Sequence, residues 1–369
     1  MKNTVADYFR FDWTLLLSAL VLTVIGLLAI YGIGFSRDSA DFFQFKKQLV
    51  AAVIGLGFVL AAVFVDYRQL RSLYLPLYFA GFLLLLSVLF FGQTIRGTRG
   101  WFVFGNLSFQ PVEISKVLLA IFLAGYLSRF VHKRLSWAAF VGSGIAAGLY
   151  VAPVLFQPDF GSAVVMVVMW LTAVLFAGLP RRAWLVMLVG VAVVSGLTWS
   201  FGLQSYQRGR LISFINPTLD PRGAGYNVRQ ARIAIGSGGW FGKGIGEGSQ
   251  SRLRFLPEAS TDFVFSVLGE ELGFFGILIV LGLFALLLFR FVYTAATIDD
   301  PFPQILVIAL MSYLVFHILI NAGMNLGIMP VTGIPLPFVS AAPSSLIAAY
   351  LSVALVECVA LRSKPAAFR

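Results

Sequence analysis

The ionisable side chains that could do chemistry in this chain stand beside prolines. Pro111 is followed by Glu113, Pro158 by Asp159, and Pro257 by Glu258 and Asp262. Glu113 and Lys116 are three residues apart, so on a helix they are neighbours on one face. An internal ion pair that neutralises two costly charges is the plain account of them. Lys116 lending positive charge to a bound phosphate is the sharper one. Asp262, Ser266, Gly269, Gly273 and Gly276 step by four, three, four and three, which draws a stripe of small and polar residues down one helix. Close helix packing accounts for such a stripe, and so does the wall of a polar cavity. Ser260 or Thr261 can cap this helix and leave Asp262 in its first turn, where the helix dipole favours a carboxylate. An ionised aspartate facing a cavity can act as a general base. On the chemistry alone, a capping aspartate is the simpler account.

Composition says which elements must hold these residues. The chain has 369 residues, 59% of them hydrophobic and 12% charged, whereas soluble domains sit near half apolar and a quarter charged. A helix that crosses a bilayer takes about 20 apolar residues. Runs near 13–33, 47–65, 72–92, 112–130, 137–155, 161–179, 183–201, 263–289, 303–323 and 341–361 predict about ten spans. The expected fold is therefore an all-α integral membrane protein, a single polytopic domain over 1–369. A long, partly helical loop, about 202–262, joins spans seven and eight.

Lysines and arginines near the spans set the orientation. With the N-terminus inside, thirteen fall on inner segments and only five, Arg37, Lys46, Lys47, Arg96 and Arg99, on short outer ones. Both termini are then cytoplasmic. The acidic starts at Glu113, Asp159 and Asp262 all face outward, as do Pro330, Pro335 and Pro337 before the last span. The inner ends read as short, basic and plain. A charge at membrane depth costs on the order of 2.5–3.5 kcal/mol and faces a cavity or a partner. Three acidic starts on one side imply a polar cavity open to the outside.

Several function classes drop out. The formal charge of +11 lies at span edges and in the long loop, without the basic stripe of a nucleic-acid face. Cys358 is the only cysteine, so no intrachain disulfide forms. His132 and His317 are far apart in sequence, which argues against a histidine metal site. The first span is too long for a cleaved signal peptide and reads as a retained helix. In the long loop, Tyr206, Phe214, Tyr226, Trp240 and Phe241 stand among arginines. Such composition suits short amphipathic helices over a membrane surface or a cavity. Those arginines can hold phosphates or anionic lipid heads. The run GSGGWFGKGIGEG lacks the first glycine and the hydroxyl residue of a phosphate loop and reads as flexible turns.

The long stretch from Tyr206 to Gly276, together with RGTRGWFVFGNLSFQPVEISK, QPDFGSA and PVTGIPLPFVS, resembles the SEDS family (shape, elongation, division, sporulation). The resemblance covers essentially the whole chain and is closer to the elongation branch than to the division branch. It implies a peptidoglycan glycosyltransferase that polymerises lipid II at the outer face of the cytoplasmic membrane. It places the essential aspartate at Asp262, the acid–lysine pair at Glu113 and Lys116, and a supporting acid at Asp159. Arg210 matches a basic residue of the loop motif. Ser266, on the Asp262 stripe, joins these as a supporting residue. The implied partners are a class B penicillin-binding protein, lipid II and membrane lipids. No cofactor is called for, although a divalent cation, Mg or Mn, is one way to stabilise a leaving pyrophosphate. Two departures stand out. Ser340-Ala341-Ala342-Pro343-Ser344-Ser345 replaces Ser-Tyr-Gly-Gly-Ser-Ser, and Ser260 stands where many members carry a histidine. Two competing readings are a lipid II flippase, which needs polar groups reaching the inner leaflet, and a non-catalytic scaffold for the penicillin-binding partner.

Overall fold

The computed structural model describes residues 11–35, 42–95, 97–105, 107–131, 135–179, 223–253 and 255–362, with isolated positions between 183 and 214. In chain order its elements are α1 (Trp13–Phe35), α2 (Phe43–Ala61), α3 (Tyr67–Ser72) and α4 (Tyr74–Phe91), then β1 (Gln93–Ile95), β2 (Thr98–Phe104) and β3 (Leu107–Phe109). There follow α5 (Pro111–Leu127), α6 (Trp137–Phe156), α7 (Phe160–Gly178), α8 (Ala224–Ser237), α9 (Ser249–Arg252), α10 (Val264–Ala296), α11 (Pro301–Leu326) and α12 (Pro343–Arg362). Eight of the described helices are long and apolar enough to cross a membrane. A ninth, α5, runs 17 residues and is buried along almost its whole length. The expected seventh span lies outside the described residues.

Burial sorts the helices into layers. α5, α11 and α12 form the centre, while α2, α4 and α10 present rows of exposed aliphatic and aromatic side chains. Such faces suit lipid, because a helix satisfies its own backbone and leaves only apolar side chains outside. α11 is delimited at both ends. Asp300 accepts from Phe302 N at 3.1 Å with Pro301 at the first helical position, and Gly327 closes the helix at φ 75°. These are the ordinary start and stop chemistries of a helix.

Four features differ from the sequence reading. First, residues 93–109 form a three-stranded antiparallel sheet of order β1-β2-β3. It sits beside the Asp159 turn, where Arg99 N donates to Gln157 O at 3.2 Å. Second, the helix-capping expectation fails. α10 begins at Val264, so Asp262 precedes the helix, and neither Ser260 nor Thr261 caps it. Ser260 Oγ donates to Gln44 Oε1 and Thr261 Oγ1 to Glu258. Third, the small-residue stripe does not continue, because α10 breaks at Gly273 (φ 69°, ψ −165°), backbone that essentially only glycine adopts. Fourth, the end that the sequence reads as the inner one is not plain. Arg290 binds Asp12 at 2.6 Å, and Asp12 N donates to the buried Glu357 at 3.2 Å.

The break has a physical reason. A straight helix of α10's length would run roughly 50 Å, well beyond a hydrocarbon core of about 30 Å. Residues 274–296 span that core by themselves. The glycine-rich run fills the gap and is not loose. Lys243 N and Gly244 N donate to Glu270 O and Glu271 O, both at 3.0 Å. In return Phe274 N and Phe275 N donate to Gly239 O and Trp240 O at 2.9 and 3.1 Å. In an unbroken helix Phe274 N and Phe275 N would bond those same two glutamate carbonyls. Lys243 Nζ also pairs with Glu270 Oε1 at 2.8 Å. Gly242 stands at φ 82°, and a Cβ there would overlap Glu271 O; one on Gly273 would overlap Gly242 N.

Gly242→Ala or Gly273→Ala should therefore lower stability by at least about 1–3 kcal/mol from backbone strain. Gly282→Ala, with nothing within 4 Å of its added carbon, should stay within about 0.5 kcal/mol of the parent. Thermal unfolding of the purified protein in detergent checks both. Equal unfolding temperatures for all three variants would contradict the packed-break account.

Candidate active site

α11 carries Tyr313, His317, Asn321 and Asn325, four residues apart and all fully buried. That spacing aligns them on one face. None of the four was singled out as a site residue by reading the sequence. The signal was there as a polar repeat of four inside an apolar run, hidden by overall hydropathy.

The first two meet α5. Lys116 Nζ lies 2.8 Å from Glu113 Oε1 and 3.0 Å from His317 Nε2. Tyr313 Oη donates to Glu113 Oε2 at 3.3 Å, and its ring lies under the ammonium at 5.3 Å. His317 Nδ1 sits 3.3 Å from Pro335 O. A carbonyl only accepts, so Nδ1 carries the proton and Nε2 accepts from Lys116. Glu113 and Lys116 are buried to 2% and 0% exposure. The expected pair is present, and it is part of a larger network.

The other two hold the Asp262 turn. Asn321 Nδ2 and Asn325 Nδ2 donate to Asp262 O at 3.1 and 3.0 Å. Asn325 Oδ1 accepts from both Ser266 N and Ser266 Oγ, at 3.1 and 2.6 Å. Ser266 is thus buried against α11 and supports the turn from inside. Glu258, at φ 54°, sits in the left-handed region that costs a non-glycine residue about 1–3 kcal/mol. Its carbonyl accepts from Thr261 N, Asp262 N and Phe263 N at 3.1, 3.1 and 3.3 Å. Asp262 itself is partly exposed at the end of this tight turn.

The segment 328–342 threads between these groups without regular structure, and Ile334, Leu336, Phe338 and Val339 are buried. Non-helical backbone is tolerated in such a place when its polar groups find protein partners. Several do, while the buried Thr332 Oγ1 finds none among the described residues. Ile334 O accepts from Asn321 at 2.8 Å, and Ser340 Oγ accepts from Leu336 N at 2.8 Å while donating to Thr261 O at 2.6 Å. The departure at Ala341-Ala342-Pro343 leaves this geometry closed. Ala341 N donates to Ser260 O at 2.8 Å, Pro343 opens α12, and Ser344 Oγ accepts from Gln110 N at 2.9 Å.

Asp159 caps α7, accepting from Ser162 N at 3.0 Å, and its other oxygen accepts from Gln110 Nε2 at 3.4 Å. It therefore ties the start of α7 to the start of α5. Arg210 lies outside the described residues. The described residues gather no group of three or more His, Cys, Asp or Glu side chains that could hold a metal ion. The pair at Lys116 and the turn at Asp262 are linked through His317 and Asn321, one helical turn apart, roughly 6 Å along the axis. α11 thus holds side by side a fully buried ammonium neutralised by Glu113 and a turn that carries the partly exposed Asp262 carboxylate.

A family model described as "Cell cycle protein" (FtsW/RodA/SpoVE) matches residues 12–364. "Peptidoglycan glycosyltransferase MrdB" of Escherichia coli (strain K12) is 36% identical over 349 residues, which cover 94% of this chain and 92% of that one. "Peptidoglycan glycosyltransferase RodA" of Treponema pallidum (strain Nichols) is 33% identical, with 95% of this chain and 98% of that one covered. A solved chain from "Structural coordination of polymerization and crosslinking by a peptidoglycan synthase complex" is 32% identical. It superposes with a TM-score of 0.80 over 95% of this chain and 97% of that one.

Removing one partner of a buried ion pair costs about 3–5 kcal/mol, because the other charge is stranded. Lys116→Met should destabilise the protein by that much, and adding Glu113→Gln should restore most of it. Unfolding temperature and monodisperse yield in detergent measure this. A single variant as stable as the parent would show that Glu113 is not held as a buried anion.

Proposed function

Because the chain belongs to the FtsW/RodA/SpoVE family of cell cycle proteins, and is on that ground a peptidoglycan glycosyltransferase, we propose that it polymerises lipid II into glycan strands during cell elongation, with Asp262 as general base. The observation that carries this reading is the shared scaffold of α11, which joins the Lys116 ammonium and the Asp262 turn at one end of the protein. The lysine and arginine bias across the spans supports cytoplasmic termini, so that this end faces outward and meets lipid II in the outer leaflet.

The reaction balances as follows. The acceptor lipid II presents a sugar hydroxyl to the Asp262 carboxylate. Its oxygen attacks the donor's anomeric carbon from the face opposite the leaving group. The bond from that carbon to the pyrophosphate oxygen breaks, and the hydroxyl proton passes to Asp262. Configuration is inverted, as in inverting glycosidases where a carboxylate activates the attacking oxygen. Undecaprenyl pyrophosphate leaves as an anion and needs no acid. Arg210 and its neighbours in the long loop supply positive charge to it, while Lys116, fully buried and paired with Glu113, supports the site from within. A divalent cation, Mg or Mn, would come with the substrate's pyrophosphate. A class B penicillin-binding protein is the proposed partner that crosslinks the product, in line with the synthase complex from which the similar solved chain comes.

The transporter reading draws on the Asp12–Arg290–Glu357 cluster, which puts buried charge at the inner end. Polymerisation in detergent needs no translocation and so separates the two. The purified protein with its penicillin-binding partner should convert fluorescent lipid II into long glycans, and the partner alone should not. Asp262→Asn should lose about 10²–10⁴-fold in rate, the usual worth of general-base assistance. A folded, partner-bound Asp262→Asn protein that keeps most of its rate would overturn the role given to Asp262.

A further inference from the structure

The first turn of any helix leaves backbone N–H groups without intrahelical partners, and a side chain just ahead of the helix commonly takes one of them. The N-cap residue of α10, Phe263, has no side-chain oxygen to offer, and the hydroxyls of Ser260 and Thr261 bond Gln44 and Glu258. Another helix supplies an acceptor. Asn325 Oδ1 accepts from Ser266 N at 3.1 Å, an amide that also donates to Phe263 O at 3.0 Å, and from Ser266 Oγ at 2.6 Å.

The same carboxamide also grips the turn on its other side. Asn325 Nδ2 donates to Asp262 O at 3.0 Å and to Asn321 O at 2.8 Å. Asn321 Nδ2 donates to Asp262 O at 3.1 Å and to Ile334 O at 2.8 Å. The orientation of both amides is unambiguous. Ser266 N can only donate, and the carbonyls of Asp262, Asn321 and Ile334 can only accept, so each oxygen and nitrogen has one consistent place. The Asp262 carbonyl is thus clamped by two N–H donors, and the helix start three to four residues on is clamped by the acceptor of one of them. Both asparagines are fully buried, where an amide is costly unless its hydrogen bonds are made.

We infer that Asn321 and Asn325 are positioning residues that aim the Asp262 carboxylate. They hold its peptide against α11 and bond the first turn of α10 from outside that helix. This rests on the reading of Asp262 as the base. Asn325 has two separable jobs. Its oxygen bonds the first turn of α10, and its nitrogen clamps Asp262. Asn325→Asp keeps an oxygen toward Ser266 and loses the donor toward Asp262. Asn321→Leu leaves the bond to Ser266 untouched and removes one of the two clamps.

The experiment is steady-state polymerisation of lipid II by the protein in complex with its penicillin-binding partner. It compares the parent, Asn321→Leu, Asn325→Leu, Asn325→Asp and Asp262→Asn, each normalised to monodisperse, partner-bound protein. Small misplacement of a reacting group costs up to about 10²-fold. We expect kcat to fall by about that factor in Asn325→Asp and by less in Asn321→Leu, with KM for lipid II unchanged, since substrate binding does not run through these amides. A purely structural role would lower the folded yield and leave kcat per folded complex at the parent value. If Asn325→Asp and Asn321→Leu turn over like the parent while Asp262→Asn is silent, the positioning role is wrong and the base stands. If Asp262→Asn is itself active, the base assignment falls and the positioning role falls with it.

Discussion

The structure depends on one requirement, which is that the polar face of α11 be satisfied inside an apolar molecule. Tyr313, His317, Asn321 and Asn325 are fully buried. A buried donor or acceptor left without a partner costs about 1–3 kcal/mol, and more when it is charged. Each of the four therefore demands a neighbour with a definite atom in a definite place. Tyr313 and His317 demand the start of α5, where Glu113 and Lys116 answer them. Asn321 and Asn325 demand the Asp262 carbonyl and the first turn of α10. His317 and Asn321 also demand carbonyls of the extended segment, Pro335 O and Ile334 O. Three distant stretches of chain meet on one face through these bonds.

The two departures from regular helix obey the same rule. Segment 328–342 runs through buried surroundings with three prolines, which have no N–H to satisfy. The carbonyls of Ile334 and Pro335 are met by side chains of α11, and Leu336 N is met by Ser340. The break in α10 exposes two carbonyls and two amides at Gly273, and the glycine-rich run takes up all four. Both irregular segments are therefore tied to their neighbours at defined atoms. A carboxylate placed between them sits on a fixed base, which is what general-base catalysis asks of its scaffold.

The parts of this arrangement that were legible in the sequence are local. Apolar runs marked the spans, and the spacing of Glu113 and Lys116 marked the pair, because three residues on a helix fix a neighbour without reference to the rest of the fold. Asp262 was legible as a carboxylate at the start of a span, but its surroundings were not. Its carbonyl is held by Asn325, about sixty residues on, and no local pattern encodes that. Gly273 looked like one more small residue in a stripe. That it breaks the helix depends on Gly242 arriving from a separate loop. The Asp12–Arg290–Glu357 cluster was missed for a similar reason. Its members lie near the two chain ends and deep in α10, and only packing brings them together. The strands at 93–109 are not legible because two of the three are only three residues long and bounded by glycines or turns.

The central claim is that α11, by binding both the Glu113–Lys116 pair and the Asp262 turn, holds a reaction centre at Asp262. The measurement that tests it most directly is a cryo-EM structure of the partner complex with an unreactive lipid II analogue in place. The account predicts the sugar and pyrophosphate at the Asp262 end of the protein, with an acceptor sugar hydroxyl within about 2.6–3.2 Å of an Asp262 oxygen, the reach of a general base. Sugar and pyrophosphate seated at the Asp12–Arg290–Glu357 end, with no sugar near Asp262, would contradict it.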